Sequence, residues 1–337
     1  MQGAAEHHLR CEGADVSVPM GERDELRFPD GFLWGAATAA HQTEGQNWNT
    51  DWWQSEQRGL VPYRSGDACQ SWYRWQEDLE LVRELGLNAY RLSVEWARIE
   101  PRPGVFDEGA LEHYRCMLQA VRAAGAEPLV TLHHFSSPVW LSDGGGWDRP
   151  GVVGRFATYV DRVGRELGDQ VRWWITINEP TVFGLFGNVS GVWPPHRKND
   201  FRGYLRHVRH TLSAHAAARA VLKQHSRDAQ VSMALHLNPI DPVRYRDPTD
   251  QIAVKIYDWL WQGRILRAAA RSFDWVGVNY YFRILVRWDL FPWRFFEAPD
   301  MGPHQKTEYG WEIYPKGLYR VLKRAGRLGK PVIVTEN

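Results

Sequence analysis

The chain has 337 residues, 44% of them hydrophobic and 24% charged, with a formal net charge of +1. That length holds one large domain or two ordinary ones, and the near-zero charge offers no electrostatic footprint for nucleic acid or an acidic membrane surface. No apolar run is long enough to span a bilayer, and the three cysteines, Cys11, Cys69 and Cys116, are scattered without metal-type spacing, which fits a reducing cytoplasm.

The first 27 residues are polar and mixed in charge, without the apolar h-region of a signal peptide, and are expected to form a flexible tail. From residue 28 to 337 a single domain is expected. Apolar, β-branched or aromatic runs at 32–38, 88–94, 127–133, 172–178, 230–236, 275–280 and 331–335 read as strands. Helical patterns fall between them at 71–85 and 109–124, stopped by Gly86 and Gly125. Further helical patterns lie near 152–167, 204–225, 251–270 and 315–328. This alternation argues for a parallel α/β fold. Seven strands are one fewer than a closed (β/α)8 barrel requires. An open doubly wound sheet tolerates seven, but it normally carries a glycine-rich phosphate turn, and no G-x-G-x-x-G or G-x-x-x-x-G-K-[ST] is present. The expected class is therefore α/β, of the (β/α)8 TIM-barrel type, with the eighth strand and final helix missing.

Polar residues gather where the predicted strands end: Gln42 and Glu44, Glu95 and Arg98, His133 and His134, Asn178 and Glu179, His236 and Asn238, Asn279 to Tyr281, and Glu336 with Asn337. In a barrel those ends form the face that carries the active site. Two carboxylates stand out: Glu179 in T-I-N-E-P (176–180) and Glu336 in V-T-E-N (334–337). A pair of carboxyls flanking a cavity is what glycosidic bond cleavage needs, one to protonate the leaving oxygen and one to attack or activate water. Arg91 on the second strand is a candidate cation for the ionised partner. A structural ion pair inside the barrel is the plainer reading of Arg91, and the two are compatible. Aromatic residues are abundant, 18 Trp, 13 Tyr and 13 Phe. Such faces stack on sugar C–H groups, although most will serve packing. His133 and His134 are no metal pair, because adjacent residues on a strand point to opposite faces.

Several segments resemble glycoside hydrolase family 1. They are F-P-D-G-F-L-W-G-A-A-T-A-A-H-Q-T-E-G (28–45), N-A-Y-R-L-S-V-E-W-A-R-I-E-P (88–101), L-V-T-L-H-H-F (129–135), G-G-W (145–147), and F-A-T-Y-V (156–160) through W-W-I-T-I-N-E-P (173–180). G-V-N-Y-Y (277–281), W-E-I-Y-P-K-G-L (311–318) and P-V-I-V-T-E-N (331–337) complete the set, in the family's order. The resemblance implies a retaining β-glycosidase without metal or organic cofactor, acting on a β-glycoside or oligosaccharide, with β-glucosidase the preferred activity and 6-phospho-β-glycosidase the alternative. It implies Glu179 as general acid/base and Glu336 as nucleophile, about 5–5.5 Å apart in the retaining geometry. It further implies Gln42, His134 and Asn178 as sugar contacts, Arg91, Asn279 and Tyr281 as residues that position the nucleophile, with Asn279 and Tyr281 also facing substrate, and Trp311 as the platform beneath the aglycone.

Departures accompany the resemblance. Phe135 stands where many members carry Trp, and a phenyl ring cannot donate the hydrogen bond that an indole N–H can. The family's eighth-strand region, which helps to grip the glycone, is not found. Without it, low or no activity is expected, and a catalytically weak or inactive fragment that retains carbohydrate binding is the competing expectation.

Overall fold

The structure is a computed structural model that describes residues 27–288 and 305–337. The tail expected over the first 27 residues lies, apart from Arg27, outside them. The chain divides into two units, Met1–Leu33 and Trp34–Asn337, and every strand and helix of the barrel belongs to the second.

The main sheet has seven strands: β1 (Gly35–Ala37), β2 (Ala89–Ser93), β3 (Glu127–Thr131), β4 (Trp173–Asn178), β5 (Gln230–His236), β7 (Val276–Asn279) and β9 (Val332–Glu336). All neighbours pair in parallel and in chain order, so β1 and β9 stand at the two ends of a nearly closed seven-stranded barrel. Each strand lies within or beside a run expected from the sequence. A small second sheet, β6 (Ile240–Pro242) with β8 (Ile284–Val286), was not expected.

The helices begin and end for local reasons. Asp107 accepts a hydrogen bond from Ala110 N (2.9 Å) at the start of Glu108–Ala123, and Asp200 accepts one from Gly203 N (2.7 Å) at the start of Phe201–His225. The helix Ser71–Glu84 ends at Gly86 with φ +65°, where Gly86 N donates to Arg83 O and Leu87 N to Val82 O. That pair of bonds satisfies carbonyls the helix leaves open, and the left-handed turn favours glycine. Gly125 closes Glu108–Ala123 in the same manner, at φ +81°.

The core lies between sheet and helices. Leu118, Phe156, Tyr159, Val160 and Leu167 from the helices join Val130, Trp174 and Val231 from the strands in one buried cluster. Each such side chain removed from water contributes about 1.5–3 kcal/mol.

Buried histidines give this core a pH dependence. Burial pushes His133 and His207 from an ordinary 6.5 down to about 3, and His215 to about 4. The folded chain keeps these rings neutral while the unfolded chain protonates them near pH 6.5. Their contribution to stability is therefore complete above 6.5 and is lost as pH falls toward 3. Glu44 and Asp51, pushed up to about 7 by burial, act in the opposite sense. A His133→Gln variant isolates one ring from that sum. Its melting temperature is expected to fall less between pH 6.5 and about 4.5 than that of the unaltered chain; scanning calorimetry at both pH values checks this, and equal slopes contradict it.

Candidate active site

Register irregularities re-aim the ends of two strands. Between Ile175 and Asn178, β4 advances three residues while β5 advances from Ser232 to Ala234, so β4 carries one extra residue. Thr176 faces outward, its hydroxyl 2.8 Å from Nδ1 of His215 on Phe201–His225, and the extra residue turns Asn178 inward to Arg91. Regular alternation would put both on one face, and an extra residue is a common device for re-aiming a side chain near a site. The second irregularity lies between β7 and β9. Val278 pairs Val334 but Asn279 pairs Glu336, which makes Thr335 the extra residue.

Glu179 follows directly on β4. Its backbone adopts φ +41° and ψ +59°, its N–H donates to Ala234 O (2.9 Å), and Pro180 begins the helix Pro180–Leu185. A left-handed conformation in a non-glycine residue carries strain of about 1–2 kcal/mol, and such strain gathers at functional positions. The Glu179 side chain is buried. Its Oε1 accepts a hydrogen bond from Asn279 Nδ2 at 2.6 Å and lies 3.3 Å from His236 Nδ1.

Glu336 is held at both oxygens. Arg91 Nη1 donates to Oε1 at 2.5 Å, and the Tyr281 hydroxyl donates to Oε2. Burial and the adjacent Glu336 carboxylate push the Tyr281 phenol well above its ordinary range, so it remains a donor. Arg91 is buried and donates through all three of its nitrogens. Nη1 also donates to Thr335 O (3.0 Å), Nε to Thr131 Oγ1 (3.2 Å) and Nη2 to Asn178 Oδ1 (2.7 Å). Asn279 Nδ2 also reaches Asn178 Oδ1 at 3.3 Å. A continuous network thus runs from Glu179 through Asn279, Asn178 and Arg91 to Glu336.

The two adjacent histidines diverge, as strand geometry requires. His133 Nε2 meets Ser137 Oγ (3.1 Å) and Trp147 Nε1 (3.3 Å), on the side of the packed helices. His134 Nε2 lies 3.3 Å from Asn178 Nδ2 in the network. Burial of its ring nitrogens, helped by the Arg91 charge, pushes His134 down to about 3, so the ring is neutral. With Nε2 accepting from Asn178, the proton falls on Nδ1, a buried atom without a hydrogen-bond partner among the described residues.

Trp311 is half-open, its ring 5.4 Å from Tyr281, 5.2 Å from Phe282 and 5.3 Å from the stacked Tyr309. The adjacent Glu312 forms a two-pronged pair with Arg283 (2.6 and 2.8 Å), which ties the Trp311 segment to the chain after β7. Phe135, at φ +72°, packs against Trp193 (4.8 Å) and the His134 ring (4.9 Å). Gln42 stands apart from the network, exposed on the short helix Ala40–Thr43. The structure thus brings Glu179, Glu336, Arg91, His134, Asn178, Asn279 and Tyr281 together, with Trp311 tilted against Tyr281 beside them. His236, Thr131 and Thr335 join them without having been singled out as site residues. For His236 the one available signal was its place at the end of a strand.

The family model for glycosyl hydrolase family 1 matches residues 24–269. β-Glucosidase A of Thermotoga maritima is 31% identical over 92% of this chain and 78% of that enzyme. Among solved structures, a β-glycosidase from Pyrococcus horikoshii superposes with a TM-score of 0.83 at 34% identity, over 93% of this chain and 76% of that one. A β-glucosidase from Thermotoga maritima in complex with glucoimidazole superposes at 0.82 with 30% identity, over 92% of this chain and 78% of that one. The paired carboxylates on barrel strand ends and these likenesses agree: the chain belongs to glycosyl hydrolase family 1.

Proposed function

We propose that this chain hydrolyses β-glucosides with retention of configuration, using Glu336 as nucleophile and Glu179 as acid/base. The observation that carries the reading is the unequal tethering of the two carboxylates. Both oxygens of Glu336 are bound by donors, one of them a guanidinium, which suits a permanent anion. Among the described residues Glu179 meets one amide nitrogen and one imidazole nitrogen, both through Oε1, and no guanidinium. The names of the relatives, β-glucosidase A among them, support the glucoside.

In the first step a Glu336 oxygen attacks the anomeric carbon and the glycosidic C–O bond breaks. Its electron pair stays on the leaving oxygen, which takes the proton of Glu179. In the second step the Glu179 carboxylate takes a proton from water, the water oxygen attacks the anomeric carbon, and the ester bond to Glu336 breaks. Arg91, Tyr281 and Asn279 hold the two carboxylates. His134, Asn178 and Gln42 are assigned to the sugar hydroxyls and Trp311 to the aglycone. Two exposed free thiols, Cys69 and Cys116, support a cytoplasmic setting.

Acid assistance matters most when the leaving group is poor. A Glu179→Gln variant is expected to lose roughly 10²–10⁴-fold in kcat/KM on an alkyl β-glucoside and far less on dinitrophenyl β-glucoside, whose leaving group needs no proton. Steady-state rates on both substrates check this. Equal losses on the two would remove Glu179 from the acid role.

A further inference from the structure

Glu179 offers two oxygens, and the acid step works only if the proton rides on the one that faces the leaving group. We propose that His236 is the positioning residue that, with Asn279, fixes that choice on Oε2. The inference rests on Glu179 being the acid.

The Thr335 hydroxyl donates to Asn279 Oδ1 at 2.5 Å, which fixes the orientation of that amide and turns its NH₂ group toward Glu179. Asn279 Nδ2 then donates to Glu179 Oε1 at 2.6 Å. His236 Nδ1 approaches the same oxygen at 3.3 Å, so a hydrogen on Nδ1 makes a second donor. An oxygen facing two N–H groups accepts from both as a carbonyl and repels a proton of its own. The acid proton is left to Oε2, for which the described residues supply no protein hydrogen bond. When the leaving oxygen takes that proton, the carboxylate charge appears on a group already bound by two donors.

The imidazole is built in. His236 ends β5, in register with Asn279 on β7, which is itself in register with Glu336 on β9. The ring is buried, stacked on Tyr281 (centroids 5.7 Å apart, 29° between planes) and bounded edge-on by Trp261 at 6.0 Å and by Phe282 at 5.7 Å. It therefore touches Glu179 through a nitrogen and, through its ring face, the tyrosine that binds Glu336.

The test compares His236→Leu, which removes the donor and keeps the bulk, with His236→Asn, which restores an N–H group. On an alkyl β-glucoside, His236→Leu is expected to lose roughly 10- to 100-fold in kcat/KM. It should stay near the unaltered chain on dinitrophenyl β-glucoside, and His236→Asn should regain most of the loss. Equal losses on both substrates, or none on either, overturn the assignment. Glu179→Gln is measured alongside: a leaving-group split there with none in His236→Leu rejects His236 alone, whereas no split in Glu179→Gln rejects the acid role and this inference with it. Nitrogen NMR of histidine-labelled chain, with the His236 signal identified by its loss in His236→Asn, reads the tautomer without turnover. Hydrogen on Nδ1 is expected, and a neutral ring protonated only at Nε2 overturns the proposal.

Discussion

Replacing Glu336 with glycine is expected to lower kcat/KM on an aryl β-glucoside by on the order of 10⁵-fold. In the proposed mechanism the lost carboxylate is the group that forms the covalent bond, and the groups that surround it cannot take its place. Asn178, Asn279 and the Tyr281 hydroxyl are poor nucleophiles, and Arg91 is a cation. The substitution also leaves a space lined by the Arg91 guanidinium and the Tyr281 hydroxyl, both of which had been donating to the missing anion. A small anion such as azide should enter that space and attack the anomeric carbon from the nucleophile's side. Turnover should then return with an α-glycosyl azide as product, because one displacement inverts where two retain. Proton NMR of the product's anomeric signal checks this. A β-azide, or a loss smaller than about tenfold in the glycine variant, would remove Glu336 from the nucleophile role.

Arg91→Met is expected to lower the free energy of unfolding by about 3 kcal/mol, the lower end of the range for breaking a buried ion pair, because Arg91 is buried while Glu336 is partly exposed. Arg91 is 3% exposed and serves Thr131, Asn178, the Thr335 carbonyl and Glu336 at once, so four acceptors on β3, β4 and β9 lose a donor together. Activity should fall by at least about 10²-fold, since a shift near 1 Å in a catalytic group has that effect. Arg91→Lys should recover part of the stability and little of the activity, because a compact ammonium cannot span four acceptors in one plane. Urea unfolding of the single variants and of Arg91→Met/Glu336→Gln gives the coupling. The double variant should be less destabilised than the sum of the singles, since it leaves no unpaired charge. Additive losses would mean that the pair contributes nothing as a pair.

The barrel strands were legible because parallel strands covered on both faces read as near-continuous apolar runs, and W-W-I-T-I-N and V-I-V-T-E are such runs. The β6–β8 pair was not, since three residues carry no usable periodicity and one of β6's three is Pro242. The helix expected over 251–270 is broken by a π-helical turn at Trp259–Gly263, which leaves no mark in composition, although Asp247 followed by Pro248 does announce its true start.

At the site, the gathering of polar residues at strand ends pointed to the end of the barrel where the structure joins Glu179, Asn178, Arg91 and Glu336 in one network. It could not reveal the extra residues in β4 and β9. Plain alternation places Thr176 and Asn178 on one face, and the bulge that separates them depends on pairing with β5. His236 was visible as a polar strand end, but its partner Glu179 lies 57 residues away, just past the end of the neighbouring strand β4. Thr131 and Thr335 were illegible for a simpler reason: a threonine near a strand's end is ordinary until an arginine or an amide is seen against it.

The proposed mechanism requires Glu336 to become covalently bonded to the sugar. A fluorinated β-glucoside with a good leaving group, which slows release of the intermediate more than its formation, tests it directly when the trapped protein is digested and its peptides are weighed. The mass of one fluoroglucosyl group on the peptide that carries Glu336, absent from Glu336→Gly, is the predicted result. The same mass on a peptide carrying Glu179, or on one containing neither carboxylate, would contradict the assignment of the nucleophile and the mechanism built on it.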